Sequence, residues 1–187
     1  MKFALVVGHE AAEPGARAVA PLDCYEYTYN KSLAGMIACH LMDEGIQSEI
    51  FFRDKIGVHG AYGEVNAYMP MASIELHFNA SDGTARGTET LFAKKVIGSE
   101  RLAKVIHSYL ITGLGRFGSE NRGVKQVESS DRGYVNLTLS LYPSILIEPF
   151  FGDNVQDSML GLSQKEQLSL TISRGIAAYM RNENALN

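Results

Sequence analysis

The sequence lacks three features, each of which would point to a particular class of protein. Its two cysteines, Cys24 and Cys39, form no C-x-x-C pair, so a disulfide framework is not indicated and we expect free thiols. No run approaches the roughly 18 apolar residues of a membrane helix, so we expect no membrane insertion. The net charge is -4 with no basic tract, so we expect no nucleic-acid partner.

What is present is the composition of an ordinary globular protein. The chain has 187 residues, 45% of them hydrophobic and 20% charged, which is enough to bury a core without cross-links. No repeat, low-complexity linker or shift in composition divides it, so the sequence predicts a single domain over residues 1–187. A strand pattern begins at once, without the basic and apolar regions of a signal peptide, so we expect the protein to be cytoplasmic as synthesised.

Strand-like and helix-like segments alternate along the chain. Short apolar runs predict strands at residues 3–7, 48–52, 73–78, 88–92 and 144–147, and apolar stripes predict helices at 29–43, 99–111 and about 163–181. This alternation predicts an α/β fold of one domain, with a mixed, mostly parallel sheet of about six strands and helices on both faces. Residues 10–22 and 113–128 are predicted as long loops that shape a cleft.

Three polar residues follow predicted strands at the points where those strands end. His9 ends the segment KFALVVGH, His77 ends SIELH, and Glu148 follows an apolar run in SILIEPFFGDN. Ligand sites in open α/β sheets collect beyond the carboxyl ends of strands, so we expect these residues in one cleft. Burial raises the pKa of a carboxyl group into the range where it both accepts and donates protons near neutral pH. The pattern indicates a metal site with a catalytic carboxylate beside it.

Hydrolytic zinc sites use three protein ligands and leave one coordination position free for water or substrate. The two histidines would supply two of these ligands, and several acidic residues could supply the third. The acidic residues within local reach are Glu10, Glu13, Asp23, Glu26 and Glu75. Spacing favours Glu26 weakly, since it lies at the start of the first helix and can point back to the strand ends. Glu75 lies about 7 Å back along the strand of His77. It is either a surface residue or a partner that orients a ligand histidine.

Six motifs occur in an order that resembles one enzyme family. They are VVGHEAAEPGA, YEYTYNKSLA, FRD, SIELHFNAS followed by GTETLF, RGVK and ILIEPFFGDN, and they span about residues 3–180. The series resembles the zinc-dependent N-acetylmuramoyl-L-alanine amidases of the amidase type 3 family, including an E-x-x-x-N-x-x-L-A helix start at Glu26. Two positions depart from the family pattern. Glu10 and Ala11 replace a pair of glycines, and Leu76 replaces a small residue before the second histidine.

The resemblance implies a cofactor, a partner and the roles of four residues. It implies Zn²⁺ with His9, Glu26 and His77 as ligands, and Glu148 as the catalytic carboxylate. It also implies peptidoglycan as the partner, with hydrolysis of the amide between the lactyl group of N-acetylmuramic acid and L-alanine. No separate wall-binding domain is predicted. Together with the missing export signal, this suggests a phage or prophage endolysin that acts on the cell wall after release.

Two other functions stay open at this point. A zinc carboxypeptidase or deacylase acting on small peptides would use a related set of ligands, with an arginine to clamp a terminal carboxylate. A non-catalytic domain that binds wall fragments would use the same cleft without the chemistry. The sequence carries no signal for the oligomeric state.

Several smaller predictions concern residues outside the metal site. Arg53 and Asp54 are predicted to form a loop ion pair, and residues 122–125 to line the cleft rim. Ser163, three residues before Glu166, is predicted to cap the last helix. The other histidines are predicted in the first helix, in a loop and in the middle helix, with the first and last partly exposed: His40, His59 and His107.

Overall fold

The computed structural model describes residues 1–185, which form six strands and six α-helices. The strands are β1 (Lys2–Val7), β2 (Gln47–Phe51), β3 (Ala72–Leu76), β4 (Thr88–Phe92), β5 (Asn121–Gln126) and β6 (Ser144–Glu148). The helices are α1 (Glu26–Asp43), α2 (Gly57–Tyr68), α3 (Ser99–Leu114), α4 (Tyr134–Leu139), α5 (Val155–Ser163) and α6 (Lys165–Asn184), and a short 3-10 turn spans Gly118–Glu120.

The strands form one sheet in the order β2-β1-β3-β6-β4-β5. The first four strands of that order run parallel to one another. β4 pairs antiparallel with β6 and parallel with β5, so the sheet is mixed but mostly parallel. The predicted α/β fold is confirmed. Because β4 is reversed, its start lies at the same edge as the end of β6, with Glu89 paired to Glu148.

Helices cover both faces of the sheet. Phe3 and Leu5 of β1 point into a core shared with α1, α3 and α6. Since side chains alternate along a strand, Ala4 and Val6 point the other way, where they pack against Tyr62 of α2. α4 packs on this second face against β6. The prediction of helices on both faces is therefore confirmed.

Within residues 1–185, no helix combines the length and the apolar character that crossing a membrane requires. Both cysteines are free thiols, with Cys24 partly buried and Cys39 exposed.

The apolar pattern locates β1 to β4 and β6 within two residues but does not reveal four other elements. β5 has the polar sequence NRGVKQ and lies inside the segment predicted as a loop. α2, GVHGAYGEVNAY, carries three glycines, which lower intrinsic helix propensity. α4 and α5 have only 6 and 9 residues. β5 pairs with β4, α2 packs against β2, α4 packs against β6, and α5 packs against α6. Tertiary contacts therefore stabilise elements that their own sequences specify only weakly.

The prediction that Ser163 caps the last helix is wrong. α6 begins at Lys165 with Gln164 as its N-cap residue, which makes no side-chain capping bond. Ser163 is instead the last residue of α5, and its hydroxyl donates to the carbonyl of Met159 at 2.8 Å. Because a single residue separates the two helices, helical spacing alone does not show the boundary.

Candidate active site

His9, His77 and Glu148 lie at one edge of the sheet, where β1, β3 and β6 end side by side. His9 comes two residues after β1, His77 follows β3 directly, and Glu148 is the last residue of β6. A φ of 65° at His9 turns the chain sharply out of its strand. The two histidine rings meet edge to face with their centroids 5.1 Å apart.

Glu26 reaches both histidines from the first residue of α1. Its side chain is buried, with Oε1 2.7 Å from Nδ1 of His77 and Oε2 3.2 Å from Nε2 of His9. The backbone N–H groups of Phe78 and Ala16 also donate to this carboxylate, at 3.2 and 3.3 Å. Burial raises the pKa of Glu26, but the hydrogen bonds and charges of the two histidines outweigh it and lower the pKa to about 2. Glu26 is therefore ionised at neutral pH.

These three side chains form a cluster of metal-type donors. Their ligand atoms lie within 4.8 Å of one another, and within residues 1–185 no other group of His, Cys, Asp and Glu side chains is arranged in this way. Two imidazole nitrogens and one carboxylate oxygen are a donor set typical of catalytic zinc, which keeps a further position for water or substrate. The chemistry of the donors therefore fits a zinc ion.

The other acidic residues that the sequence allowed as third ligand have different partners. Asp23 forms an ion pair with Arg17 at 3.0 Å. Glu10 and Glu13 exchange backbone hydrogen bonds in the turn after the first histidine. Glu75 contacts the second histidine, but at the ring nitrogen opposite the one that faces α1.

Two glycines leave the space that the cluster occupies. A Cβ atom on Gly8 would lie 2.4 Å from Cε1 of His77. A Cβ atom on Gly15 would lie 2.6 Å from Cδ2 of His9 and 2.8 Å from Oε2 of Glu26, and Gly15 also has a φ of 77°. The chain thus packs its backbone directly against all three donors. The three donor side chains fit there only because neither position carries a Cβ atom.

Glu148 lines the same cavity as the cluster. The cavity has a volume of about 470 Å³, and His9, Glu26 and His77 are in its wall. Glu148 is half-buried as a residue, but its Oε2 atom is closed to solvent and has no hydrogen-bond partner among residues 1–185. Burial raises the pKa of Glu148 to about 8, with His77 opposing the shift and the charges of Glu26 and Glu89 adding to it. This carboxyl group can hold or release a proton near neutral pH.

Glu89 is a second buried carboxylate in the cavity wall. Its Oε2 accepts hydrogen bonds from Nε of Arg122 and Nζ of Lys125, both at 2.6 Å, and its Oε1 accepts one from Asn79 at 2.8 Å. Burial raises the pKa of Glu89, but the bonds from the two cations outweigh it and lower the pKa below its ordinary value. Glu89 was not among the residues predicted for the site, although an acidic residue inside the strand motif GTETLF was a usable signal.

One family matches nearly the whole chain. The family described as N-acetylmuramoyl-L-alanine amidase matches residues 4–178, a range that includes the donor cluster and Glu148. The chain belongs to the N-acetylmuramoyl-L-alanine amidase family. This membership favours the amidase over the carboxypeptidase, deacylase and binding-domain alternatives. A search of curated proteins found no match.

Solved structures of amidases share the fold. The N-acetylmuramoyl-L-alanine amidase from Clostridium difficile 630 is 23% identical, with a TM-score of 0.83 over 96% of each chain. The catalytic domain of CwlV, an amidase from Bacillus (Paenibacillus) polymyxa, is 20% identical, with a TM-score of 0.81 over 97% of this chain and 99% of that chain. The catalytic domain of the CD27L endolysin, which targets Clostridia difficile, is 29% identical, with a TM-score of 0.77 over 94% of this chain and 96% of that chain.

In this amidase, Glu75 is fully buried, so the interpretation as a surface residue is wrong. Its Oε1 lies 2.9 Å from Nε2 of His77 and accepts a hydrogen bond from Nδ2 of Asn136 at 3.0 Å. The hydroxyl of Tyr62 donates to its Oε2 at 2.8 Å, and the guanidinium of Arg53 contacts Oε1. The carboxylate therefore has partners on both oxygens.

Arg53 and Asp54 each bind a different partner, so the predicted ion pair between them is wrong. Arg53 points to the buried Glu75. Asp54 accepts hydrogen bonds from the hydroxyl of Tyr27 at 2.6 Å and from the backbone N–H of Ala11 at 2.8 Å. Asp54 thereby ties the turn after the first histidine to α1 and to the end of β2.

The remaining histidines of the amidase lie outside the cavity wall formed by the described residues. His40 is partly exposed in α1, as predicted. His107 is buried in α3, with its ring between Thr90 and Asn121, so the prediction of partial exposure is wrong for this residue. β4 and β5 supply these partners, and β5 was the strand that the pattern did not reveal. His59 is exposed in α2 and not in a loop.

Proposed function

We propose that this amidase uses a zinc ion held by His9, Glu26 and His77 to hydrolyse the amide between the lactyl group of N-acetylmuramic acid and L-alanine in peptidoglycan. The observation that carries the proposal is the convergence of three donor side chains in the cavity that also contains Glu148. The family match over residues 4–178 supports the assignment of this amide as the bond that is cleaved.

Zinc held in such a site supplies a Lewis acid, which lowers the pKa of a bound water to about 7 and polarises a carbonyl group. Glu148 supplies the proton transfers. Its carboxylate accepts a proton from the attacking water, and its carboxylic acid then donates that proton to the nitrogen of the departing L-alanine. Burial, together with the charges of Glu26 and Glu89, raises the pKa of Glu148 to about 8, which favours the protonated form that the second step needs.

The test is digestion of purified peptidoglycan with and without metal. We expect new L-alanine amino termini without new reducing ends of sugars. We also expect loss of activity on exhaustive chelation and its recovery with zinc. Release of single terminal amino acids, or full activity after chelation, would overturn the proposal.

A second test asks whether His77 is a metal ligand. In a His77→Ala variant one of three donors is missing, so we expect the protein to lose its zinc in a metal analysis. Because His77 also contacts two buried carboxylates, circular dichroism must show that the variant is folded. A folded variant that keeps the wild-type zinc content contradicts the assignment of His77 as a ligand.

We further propose that the protein acts as a lysis enzyme that reaches the wall after release from the cytoplasm. The 29% identity to the catalytic domain of an endolysin supports this. In a bacterium whose wall the purified enzyme digests, we expect cytoplasmic expression to cause no lysis until the membrane is permeabilised. Lysis without permeabilisation contradicts this route.

A further inference from the structure

His77 is held between two carboxylates, one at each ring nitrogen. Nδ1 lies 2.7 Å from Oε1 of Glu26, and Nε2 lies 2.9 Å from Oε1 of Glu75. A neutral imidazole that binds a metal through one nitrogen carries its proton on the other. Since Nδ1 is the nitrogen that faces the donor cluster, the proton on Nε2 points to Glu75.

The carboxylate of Glu75 is fixed by its surroundings. It is fully buried, and a buried charge is stable only when it is paired and hydrogen-bonded. Arg53 supplies the opposite charge, and Tyr62 and Asn136 donate hydrogen bonds to Oε2 and Oε1 at 2.8 and 3.0 Å. These partners leave the carboxylate little freedom to turn away from His77.

The supporting residues come from parts of the chain that supply no member of the donor cluster. Tyr62 belongs to α2 and Asn136 to α4, the two helices on the second face of the sheet. Arg53 follows β2. Three separate segments therefore converge on one acidic side chain whose contact with the donor cluster is the ring of His77.

We propose that Glu75 is the positioning residue of the metal centre. Its carboxylate fixes the ring orientation of His77 and keeps the proton on Nε2, so that Nδ1 is available to the metal. Such partners of ligand histidines typically change metal affinity or activity by 10–100-fold when they are replaced. This inference rests on the proposed function, because it takes His77 to be a zinc ligand.

Zinc affinity of a Glu75→Gln variant, measured by competition with a chelator, tests the proposal. Glutamine keeps the size of the side chain but removes the charge that holds the Nε2 proton. We expect zinc affinity to fall by roughly 10–100-fold.

Glu89→Gln is the matched control. It also removes one buried negative charge from the same cavity wall, but the hydrogen-bond partners of Glu89 are Arg122, Lys125 and Asn79. We expect a much smaller loss of zinc affinity than with Glu75→Gln. Equal losses of zinc affinity in the two variants would show that the negative charge near the site matters and the contact with His77 does not. That result would overturn the proposal.

The Nε2 proton of His77 gives a second measurement that a merely structural role would not change. In the zinc-loaded wild type, we expect NMR to show this proton in slow exchange, because it is donated to a buried carboxylate. In Glu75→Gln we expect its resonance to shift and its exchange to accelerate. An unchanged resonance and exchange rate contradict the proposal.

Two further outcomes keep the test decisive. If Glu75→Gln does not fold, Tyr62→Phe removes only the hydroxyl that holds Oε2, and zinc affinity should still fall, although less. Unchanged zinc affinity in Tyr62→Phe then overturns the proposal.

The wild-type protein separates this proposal from the proposed function. A wild type that binds no zinc overturns both. A wild type that binds zinc and is active, with equal zinc affinities in Glu75→Gln and Glu89→Gln, overturns only the role of Glu75.

Discussion

Glu89 and Glu148 are paired across neighbouring antiparallel strands and line one cavity, yet the pKa values of their carboxyl groups are shifted in opposite directions. Glu89 has two cations from β5 on one of its oxygens, and its pKa is lowered. Oε2 of Glu148 has no partner among residues 1–185, and the pKa of Glu148 is raised to about 8. The difference follows from the order of the strands, since β4 adjoins the cationic edge strand β5 while β6 lies between β3 and β4. Position in the sheet thus lowers the pKa of one carboxyl group and raises the pKa of the other.

The largest expected effect is the loss of catalysis in Glu148→Gln. Glutamine cannot carry the proton, so we expect the rate to fall by about 10²- to 10⁴-fold while the zinc content stays at about one ion per chain. Assays of L-alanine amino termini and a metal analysis measure the two quantities. Glu89→Gln, the comparison variant, should lose far less activity. Equal losses would mean that the two carboxylates do not differ in role.

A smaller effect is expected in how the folding stability of the metal-free protein depends on pH. This effect has opposite signs for the two residues. The raised pKa of Glu148 means that the folded state holds a proton that the unfolded chain releases above its ordinary pKa of 4.5. Glu148 therefore costs stability progressively as the pH rises from about 4.5 to 8, on the order of a few kcal/mol. Glu148→Gln should remove that loss and be more stable than the wild type at pH 8.

Glu89→Gln should behave in the opposite way. Because the folded-state pKa of Glu89 is lowered, its carboxylate contributes stability at neutral pH that is lost as the pH falls through that pKa. Urea denaturation at several pH values measures both variants. A stability curve for Glu148→Gln parallel to that of the wild type contradicts the raised pKa.

The smallest effect is expected when Glu89 loses a cation. Arg122→Gln leaves Lys125 to neutralise Glu89, so we expect a loss of about 1–2 kcal/mol in the free energy of unfolding at pH 7. Lys104→Gln is the control, because it breaks an exposed ion pair with Glu100 that contributes little. Equal changes in the two variants would show that burial of Glu89 does not strengthen its pairing.

The fold was predictable where burial imposes a pattern on the sequence. β1 and β6 are interior strands whose apolar side chains lie on both faces, so they read as nearly continuous apolar runs. β3, ASIEL, is equally buried, but only its Ala72, Ile74 and Leu76 face is apolar. β5 is an edge strand with exposed and half-buried residues, and its sequence NRGVKQ carries two cations. Its place in the sheet depends on pairing with β4, which no local pattern records.

The site was predictable to the extent that strand ends define it. His9, His77 and Glu148 lie where the rule for α/β sheets places functional side chains. The position of Glu26 depends on how the irregular segment before α1 folds back, for example through the bond from its backbone N–H to the carbonyl of Ala16. Spacing does not contain that information, and the family resemblance supplied it.

The buried acid behind the histidine was harder to recognise. Glu75 reads as one polar residue in an apolar strand, and its burial results from Arg53, Tyr62 and Asn136, which lie 22, 13 and 61 positions away in the chain. A pattern of local sequence cannot show that three such partners converge. Local sequence therefore does not distinguish a surface residue from a histidine partner at this position.

The close packing at Gly8 and Gly15 makes the sequence at these positions intolerant of change. Neither residue has a side chain, yet a single methyl group at either would occupy space already taken by a donor of the candidate metal cluster. The Cβ atom of an alanine there would overlap with a donor side chain and force it to move. The active site is therefore bounded by two positions at which nothing larger than hydrogen is compatible with the observed arrangement of His9, Glu26 and His77.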